Sequence, residues 1–475
     1  MHRILFFTLF ILLFIYQTGF AQDYIEAPAA IEISSIVSDG KYTIPQIVSI
    51  AKRQGFKAVI ITDSDTMRWE YGLWPLRNVI KKTVEEKSIS NYGIQRYLDD
   101  LKKVQEDNVD MVIVPAVESA PFYYWQGSMF NNNLKMVDWH KHFLAIGLQN
   151  TDDYRFLPVI GNKRGLKQPF QPGNILLLWP IILLIYGLCL RRKKKSIGIV
   201  FIAVGLLFLI NNYPFRTMLF DQYHGEQGIR PYQNHIDYVK QRGGLTFWAH
   251  PEASNTQKQA GVSLETLDHS DDLLLTDGYS GFALFYEGCK RIGCRNGIWD
   301  EVLMQYCKGI RKTPVWAIGA LSFDSDGNLE DYLKDLRTVC LVKSLNRQSV
   351  LDALKNGRMY VANGAQSSNF ILDSFIVKNL ETAKSAVMGE EVEITQYPQV
   401  EIQCRFLNGQ NKTITIKLVR GGKVIKTFET GSPANFIFSD EQVLLTSKDY
   451  YRLEIQSEGL VLFSNPIFIK KKNNL

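Results

Sequence analysis

The stretch IEISSIVSDGKYTIPQIVSIAKRQGFKAVIITDSD, residues 31–65, decides how the chain is read. Ile31 and Ile33 open a short strand, and Ser38-Asp39-Gly40 marks a turn. Ile44, Ile47, Val48 and Ala51 fall at helical spacing, and Ala58-Val59-Ile60-Ile61 is a short apolar strand running into Thr62-Asp63-Ser64. Strand, helix, strand in that order predicts a parallel pair joined by a crossover. Parallel α/β folds keep their chemistry at the carboxyl ends of the strands, so Glu32, Ser34, Asp63 and Ser64 stand where catalytic groups would stand.

The same grammar continues outward. A helical stretch around Ile94 to Gln105 leads to a strand at Met111 to Pro115 that ends in Ala116-Val117-Glu118, and a strand at Phe143 to Gly147 follows His140 and His142. Further on, a helix near Asn234 to Gln241 and a Gly243-Gly244 turn precede the strand Leu245 to Trp248, which ends in Ala249-His250-Pro251. Later units end at Asp277-Gly278 and at Ala317-Ile318-Gly319. From about Asn369 the period becomes two, as in Val400, Ile402, Cys404 and Phe406, or Tyr451, Leu453 and Ile455. Half-buried antiparallel strands have that pattern, so 369–475 is expected to be a β-sandwich. The α/β domain then comprises 22–165 and 213–368.

Between those two parts lies an apolar insertion, 174–212. Asn174 to Leu190 and Ser196 to Ile210 are uncharged runs on either side of Arg191, Arg192, Lys193, Lys194 and Lys195. A bilayer core of about 30 Å needs about 17 to 25 residues, so each run is at the short end for a span. A buried helical pair would have to bring five consecutive bases to the surface at once, whereas a membrane hairpin places them in the cytoplasm. Residues 1–21 carry a basic start and an apolar run with small residues before Gln22, the pattern of a signal peptide or an uncleaved anchor. Both features predict a cell-membrane protein whose folded domains are extracytoplasmic, periplasmic or extracellular.

Net charge is +6, of which the five-base loop supplies five. The remainder is close to neutral, which argues against a nucleic-acid partner. At 475 residues and 46% hydrophobic, the chain has material for several domains. Cys289 and Cys294 are spaced to close a small loop or to remain unpaired, and they lack the second pair a zinc ribbon needs.

These motifs resemble the PHP (polymerase and histidinol phosphatase) superfamily. Ser38-Asp39-Gly40, Ala51 to Gly55 and Thr62-Asp63 are similar to its opening elements, with Glu32, Ser34 and Ser64 in places its histidines occupy. Ala116 to Glu118, His142 to Gly147 and Gly243 to Pro251 resemble its later motifs, and Leu321 to Asp324 stands for the last. Arg337-Thr338, Ala353 to Gly364, Tyr451 to Glu454 and Asn465 to Ile469 look like signatures of the CehA/McbA-type branch. The resemblance implies a distorted (β/α)7 barrel, here interrupted by the transmembrane hairpin and followed by the sandwich, and a metal-dependent hydrolase, commonly a phosphoesterase.

It also implies a metal site at Glu32, Asp63, Glu118, His142, His250 and Asp324. Divalent ions at such a site lower the pKa of bound water and clamp the oxygens of a displacement. Neutral serine is a poor ligand, so Ser34, Ser64 and Ser322 remove positions from a full cluster. The expectation is one divalent ion or none. Oxygen-rich ligands favour Mn²⁺, Mg²⁺ or Ca²⁺ over Zn²⁺. Without an ion, a side chain such as Arg68 or Lys141 would have to neutralise the carboxylates. His140 and His235 are expected at the surface or in support, and Phe122 to Trp125 as core packing or a substrate platform. Two functional readings follow: a membrane-tethered hydrolase with residual activity on a small-molecule or envelope substrate, and a catalytically inactive binding or scaffolding module of the cell envelope.

Overall fold

The computed structural model describes residues 24–472 apart from 217, 260, 286 and 444–447; the expected signal or anchor at 1–21 lies outside the described residues. Seven strands form the first domain: β1 (Ile25–Ile33), β2 (Ala58–Ile61), β3 (Val112–Ser119), β4 (Phe143–Ile146), β5 (Leu245–Trp248), β6 (Gly281–Phe285) and β7 (Trp316–Gly319). They pair in chain order. The chain after β7 then returns to β1 through a parallel bridge between Ile33 and Phe323, with Leu321 N donating to Ile31 O at 2.8 Å and Ser34 N to Phe323 O at 2.9 Å. These contacts close the barrel.

The opening stretch folds as its pattern predicts. Helix α1 (Ile44–Arg53) begins at Thr43, whose hydroxyl accepts from Gln46 N while the Gln46 side chain accepts from Thr43 N at 2.9 Å, a reciprocal cap. Its buried face is Ile44, Ile47, Val48, Ile50 and Ala51. In β2, Ala58 and Ile60 face the barrel interior while Val59 and Ile61 pack outward with Ile47, Val48 and Ala51. A strand buried on both faces has to be apolar at every position, as this one is.

One strand breaks the parallel order. β4 runs antiparallel to both β3 and β5, pairing Ser119 with Phe143 and Phe143 with Trp248. Among the described residues no α-helix separates β3 from β4; the link carries short strands at Tyr124–Gln126 and Lys135–Val137 with a single 3-10 turn, Met129–Asn131, between them. The chain therefore re-enters the barrel from the mouth it has just left. This reversal brings His142, at the amino end of β4, to the same rim as Glu118 on β3.

The insertion folds as two helices, α2 (Pro180–Arg191) and α3 (Lys195–Asn211), packed against each other. A Cβ at Gly187 would lie 2.8 Å from Gly198 O, so glycine permits the close approach. The stretch Pro172–Arg191, with mean hydropathy 2.2, is long and apolar enough to cross a membrane, while Lys195–Asn211 is a shorter apolar helix. Among the described residues the structure thus shows a helical pair with one stretch of spanning length, and the expected two-pass hairpin stays a proposal.

The sheet does not stop at residue 369. Strand β8 (Leu336–Val342) pairs with the first half of β1, and β9 (Met359–Asn363) pairs with β8 and with Leu460–Ser464. A second sheet of antiparallel strands, including Phe370–Asn379, Pro398–Phe406 and Ala434–Ser439, covers this extension. Val339, Tyr360 and Ala362 share a core with Phe375, Ile402, Leu453 and Leu462. The sandwich is mainly antiparallel, with a parallel pair between Glu391–Ile394 and Ile467–Lys471. The change of periodicity near Asn369 therefore marks where its own strands begin, while its sheet starts inside the preceding segment.

Candidate metal centre

Five side chains meet at the barrel mouth. Ligand atoms of Glu32, Glu118 and His250 lie within 4.8 Å of one another, and so do those of His140, His142 and His250. Two of them, Glu32 and His250, are placed by backbone that departs from regular strand, while Glu118 lies within β3. Glu32 interrupts the pairing of β1 with β2 and has φ 66°, so this bulge residue turns out of the ladder toward the mouth. His250 follows β5 with φ 30°, Ala249 N donating to His142 O at 3.1 Å beside it. Such conformations are disfavoured for non-glycine residues and concentrate at functional sites.

The Ser38-Asp39-Gly40 turn supports this rim. A Cβ at Gly40 would lie 2.1 Å from Ser34 O, so glycine lets the turn press against the end of β1. Asp63 holds the same turn. Its carboxylate accepts from Ser35 N at 2.8 Å, from the Ser35 hydroxyl at 2.8 and 3.0 Å, from Ser38 N at 3.2 Å and from the Ser38 hydroxyl at 2.8 Å. With those donors in place, Asp63 braces the loop and stands outside the ligand cluster, contrary to the expectation from sequence. Asp324 is also outside it. Its side chain is exposed and caps its own turn, accepting from Ser325 N and, at 3.1 Å, from Asp326 N. Of the six expected ligands, Glu32, Glu118, His142 and His250 converge.

His140 joins them although sequence reasoning placed it at the periphery. Its ring stacks on His250 with centroids 4.3 Å apart and meets His142 at 4.7 Å, while its amide donates to Thr266 Oγ1. The His-x-His spacing at the start of β4 was the available signal. His235 is instead fully buried in the core and stacked on Phe143, and burial holds its pKa down at about 4. Phe122, Tyr123 and Tyr124 are core residues, with Trp125 partly buried against them. Cys289 and Cys294 are free thiols.

The electrostatics of the cluster are lopsided. His142 Nδ1 lies 2.5 Å from Glu118 Oε1, and His250 Nε2 lies 3.6 Å from the same oxygen. Burial opposes ionisation of Glu118, but the two imidazoles overcome it and hold the carboxyl well below its ordinary range. Burial likewise disfavours the imidazolium of His142, and Glu118 more than compensates, raising its pKa. Glu32 has no such partner: burial first, and then the Glu118 charge, push its pKa well above the usual carboxylate value. Burial and the neighbouring histidines hold His140 neutral, with its pKa near 2.

The donors fit a divalent cation. Both carboxylate oxygens of Glu32 are buried with no hydrogen-bond partner, and the Nδ1 atoms of His140 and His250 are likewise unpartnered. Buried polar groups are otherwise almost always satisfied, and an unpaired one costs about 1–3 kcal/mol. The side chains expected as substitute cations are committed elsewhere: Lys141 to Asp138 at 3.3 Å and Asp272 at 3.0 Å, and Arg68 to Glu70 at 3.8 Å. Two carboxylates and an imidazole converging in this way form an oxygen-rich set that suits Mn²⁺ better than Zn²⁺.

No family model matches the chain, and no curated protein matches it. Among solved structures it is similar to a two-domain protein from Bacteroides vulgatus containing a predicted PHP-like metal-dependent phosphoesterase. That match has 12% identity over 94% of this chain and 96% of the other, at a TM-score of 0.37. It is also similar to an amidohydrolase from Chromobacterium violaceum with bound sulfate and no metal, at 12% identity over 63% of this chain and 89% of the other, TM-score 0.27. Likenesses this distant carry no argument about chemistry, which rests on the geometry above.

Proposed function

We propose that the barrel mouth binds one divalent cation through Glu32, Glu118 and His250 and hydrolyses a small phosphoester or related substrate with residual activity. The observation that carries this reading is Glu32, a buried carboxylate with both oxygens unpartnered and aimed at Glu118 and His250. A bound cation would polarise a substrate oxygen or activate water. His140, neutral and with Nδ1 unpartnered, can accept a hydrogen bond from substrate or water at that atom, and His142, whose pKa Glu118 raises, can donate a proton. The exposed Asp324 and the serines at 34 and 64 favour a second reading, a binding module that keeps the cation for structure.

The two readings separate in one assay. The full chain, supplied with Mn²⁺, should hydrolyse bis-p-nitrophenyl phosphate, with His140→Ala losing activity while retaining metal. Metal bound without turnover in the unmodified protein would establish the binding module. We further propose that the helical pair tethers the protein to the membrane with Arg191 to Lys195 in the cytoplasm and both domains on the opposite side. A reporter fused after Leu475 should then behave as exported; cytoplasmic activity of that fusion would overturn the topology.

A further inference from the structure

We propose that a cleft between the barrel and the base of the helical pair binds the phosphate headgroup of an anionic phospholipid, gripped by Lys81 and Lys163. The inference rests on the membrane-tethered reading above. The cleft has a volume of about 1240 Å³, and Glu70, Lys81, Lys163, Leu177, Tyr213 and Phe215 are among the residues that line it.

Asp221, Glu226, Lys167 and Arg230 also line it and offset one another in charge, but around Glu70 positive charge is in excess. Lys81 Nζ lies 2.8 Å and Lys163 Nζ 3.2 Å from the same oxygen of Glu70, and the Arg68 guanidinium lies 3.8 Å from it. Three cations thus share one carboxylate. The lysine pair gains from any further anion, and a phosphate offers the several acceptor oxygens that two ammonium groups can use together.

The surroundings point to a lipid as the source of that phosphate. Lys81 belongs to a two-stranded ribbon, Arg68–Gly72 with Lys81–Glu85, whose connecting loop is tied to the end of α3. Asn78 N donates to Asn211 Oδ1 at 3.0 Å, and Asn211 Nδ2 donates to Pro75 O at 3.2 Å. The same region exposes large aromatic residues: Trp74 is 80% exposed, Phe215 50% and Tyr213 47%. Aromatic residues of this kind gather at the level of lipid headgroups. At the opposite end of the helical pair stand the five bases, so the cleft lies at the membrane surface facing the barrel. Basic residues close to an anionic bilayer attract it by about 1 kcal/mol each. Lys81 and Lys163 therefore meet a phosphate where the apolar wall of the cleft can receive the acyl chains.

Native mass spectrometry of the full chain in neutral detergent tests this, with dioctanoyl phosphatidylglycerol, dioctanoyl phosphatidylcholine and inorganic phosphate as probes. Phosphatidylglycerol should bind at least about tenfold tighter than either alternative, and the Lys81→Ala/Lys163→Ala double variant should weaken it by about tenfold. Glu70→Gln removes the competing carboxylate and should tighten binding, a gain that misfolding cannot mimic. Equal binding of phosphatidylcholine, or indifference to both sets of substitutions, would overturn the site. Inorganic phosphate matching the lipid would overturn the lipid assignment. Because the probes are offered in solution, their result is independent of the reporter fusion, so failure here and failure of the topology are separately visible.

Discussion

Glu32 and Asp63 stand at neighbouring strand ends and have opposite roles. Asp63 is saturated by serine and backbone donors, whereas Glu32 has none. Asp63→Ala should therefore cost about 2–4 kcal/mol in urea denaturation while leaving metal content unchanged. Loss of metal without loss of stability would restore Asp63 as a ligand. Glu32→Gln should abolish metal retention, yet in metal-stripped protein it should raise stability by about 1–3 kcal/mol by removing a carboxylate strained by burial and by Glu118.

Asp65 extends the reasoning to pH. It is buried, accepting from the Ser119 hydroxyl at 2.9 Å, and burial pushes its pKa up to about 7. A raised carboxyl contributes stability that is complete below its unfolded value near 4 and is lost as pH climbs through about 7. Metal-stripped protein should lose stability over that window, and Asp65→Asn should flatten the slope; an unchanged slope would show that Asp65 titrates normally. At this scale the sequence marked strand ends well, because alternation and turn residues locate them. It could not show that Ser35 and Ser38 would capture Asp63, or that Asp324 would cap its own turn. Those outcomes depend on where loops fold back.

Among the elements, α1 and β2 were legible because local period and tertiary burial agree in them. The reversal of β4 was not legible, since four apolar residues read alike in either direction. It is nonetheless the feature that brings the His-x-His pair to the rim. The ribbon Arg68–Gly72 with Lys81–Glu85 was also missed, its strands being short, with only Trp69, Tyr71 and Val84 apolar among charged and polar neighbours. The helical insertion was plain from its uncharged runs. Its pairing rests on small residues: a Cβ at Gly198 would lie 2.7 Å from Gly187 O. Gly198→Val should separate α2 from α3, making 172–212 more sensitive to protease in detergent while metal content stays the same. Unchanged protection would mean that the glycines are incidental.

Across the whole molecule, barrel and sandwich are joined by more than a linker. Arg452 is fully buried, with Nε and a terminal nitrogen 2.8 and 2.9 Å from the two oxygens of Asp300 on the barrel's Ile298–Cys307 helix, and with Glu454 at 2.8 Å. Asn465 donates to Ala317 O at 3.0 Å and accepts from Ala317 N at 2.9 Å, stitching the last strands to β7. Removing one partner of a buried ion pair costs about 3–5 kcal/mol, so Arg452→Ala should lower stability by that amount. Period alone placed the boundary at Asn369, because it records how a strand is buried and not which sheet it joins.

The central claim is that this joined scaffold presents one cation site built on Glu32, Glu118 and His250. Calorimetric titration of Mn²⁺ into the chelator-stripped full chain tests it most directly. One equivalent should bind to the unmodified protein, and none to Glu118→Ala or His250→Ala. Binding that survives those substitutions, or an unmodified chain that binds no ion, would contradict it.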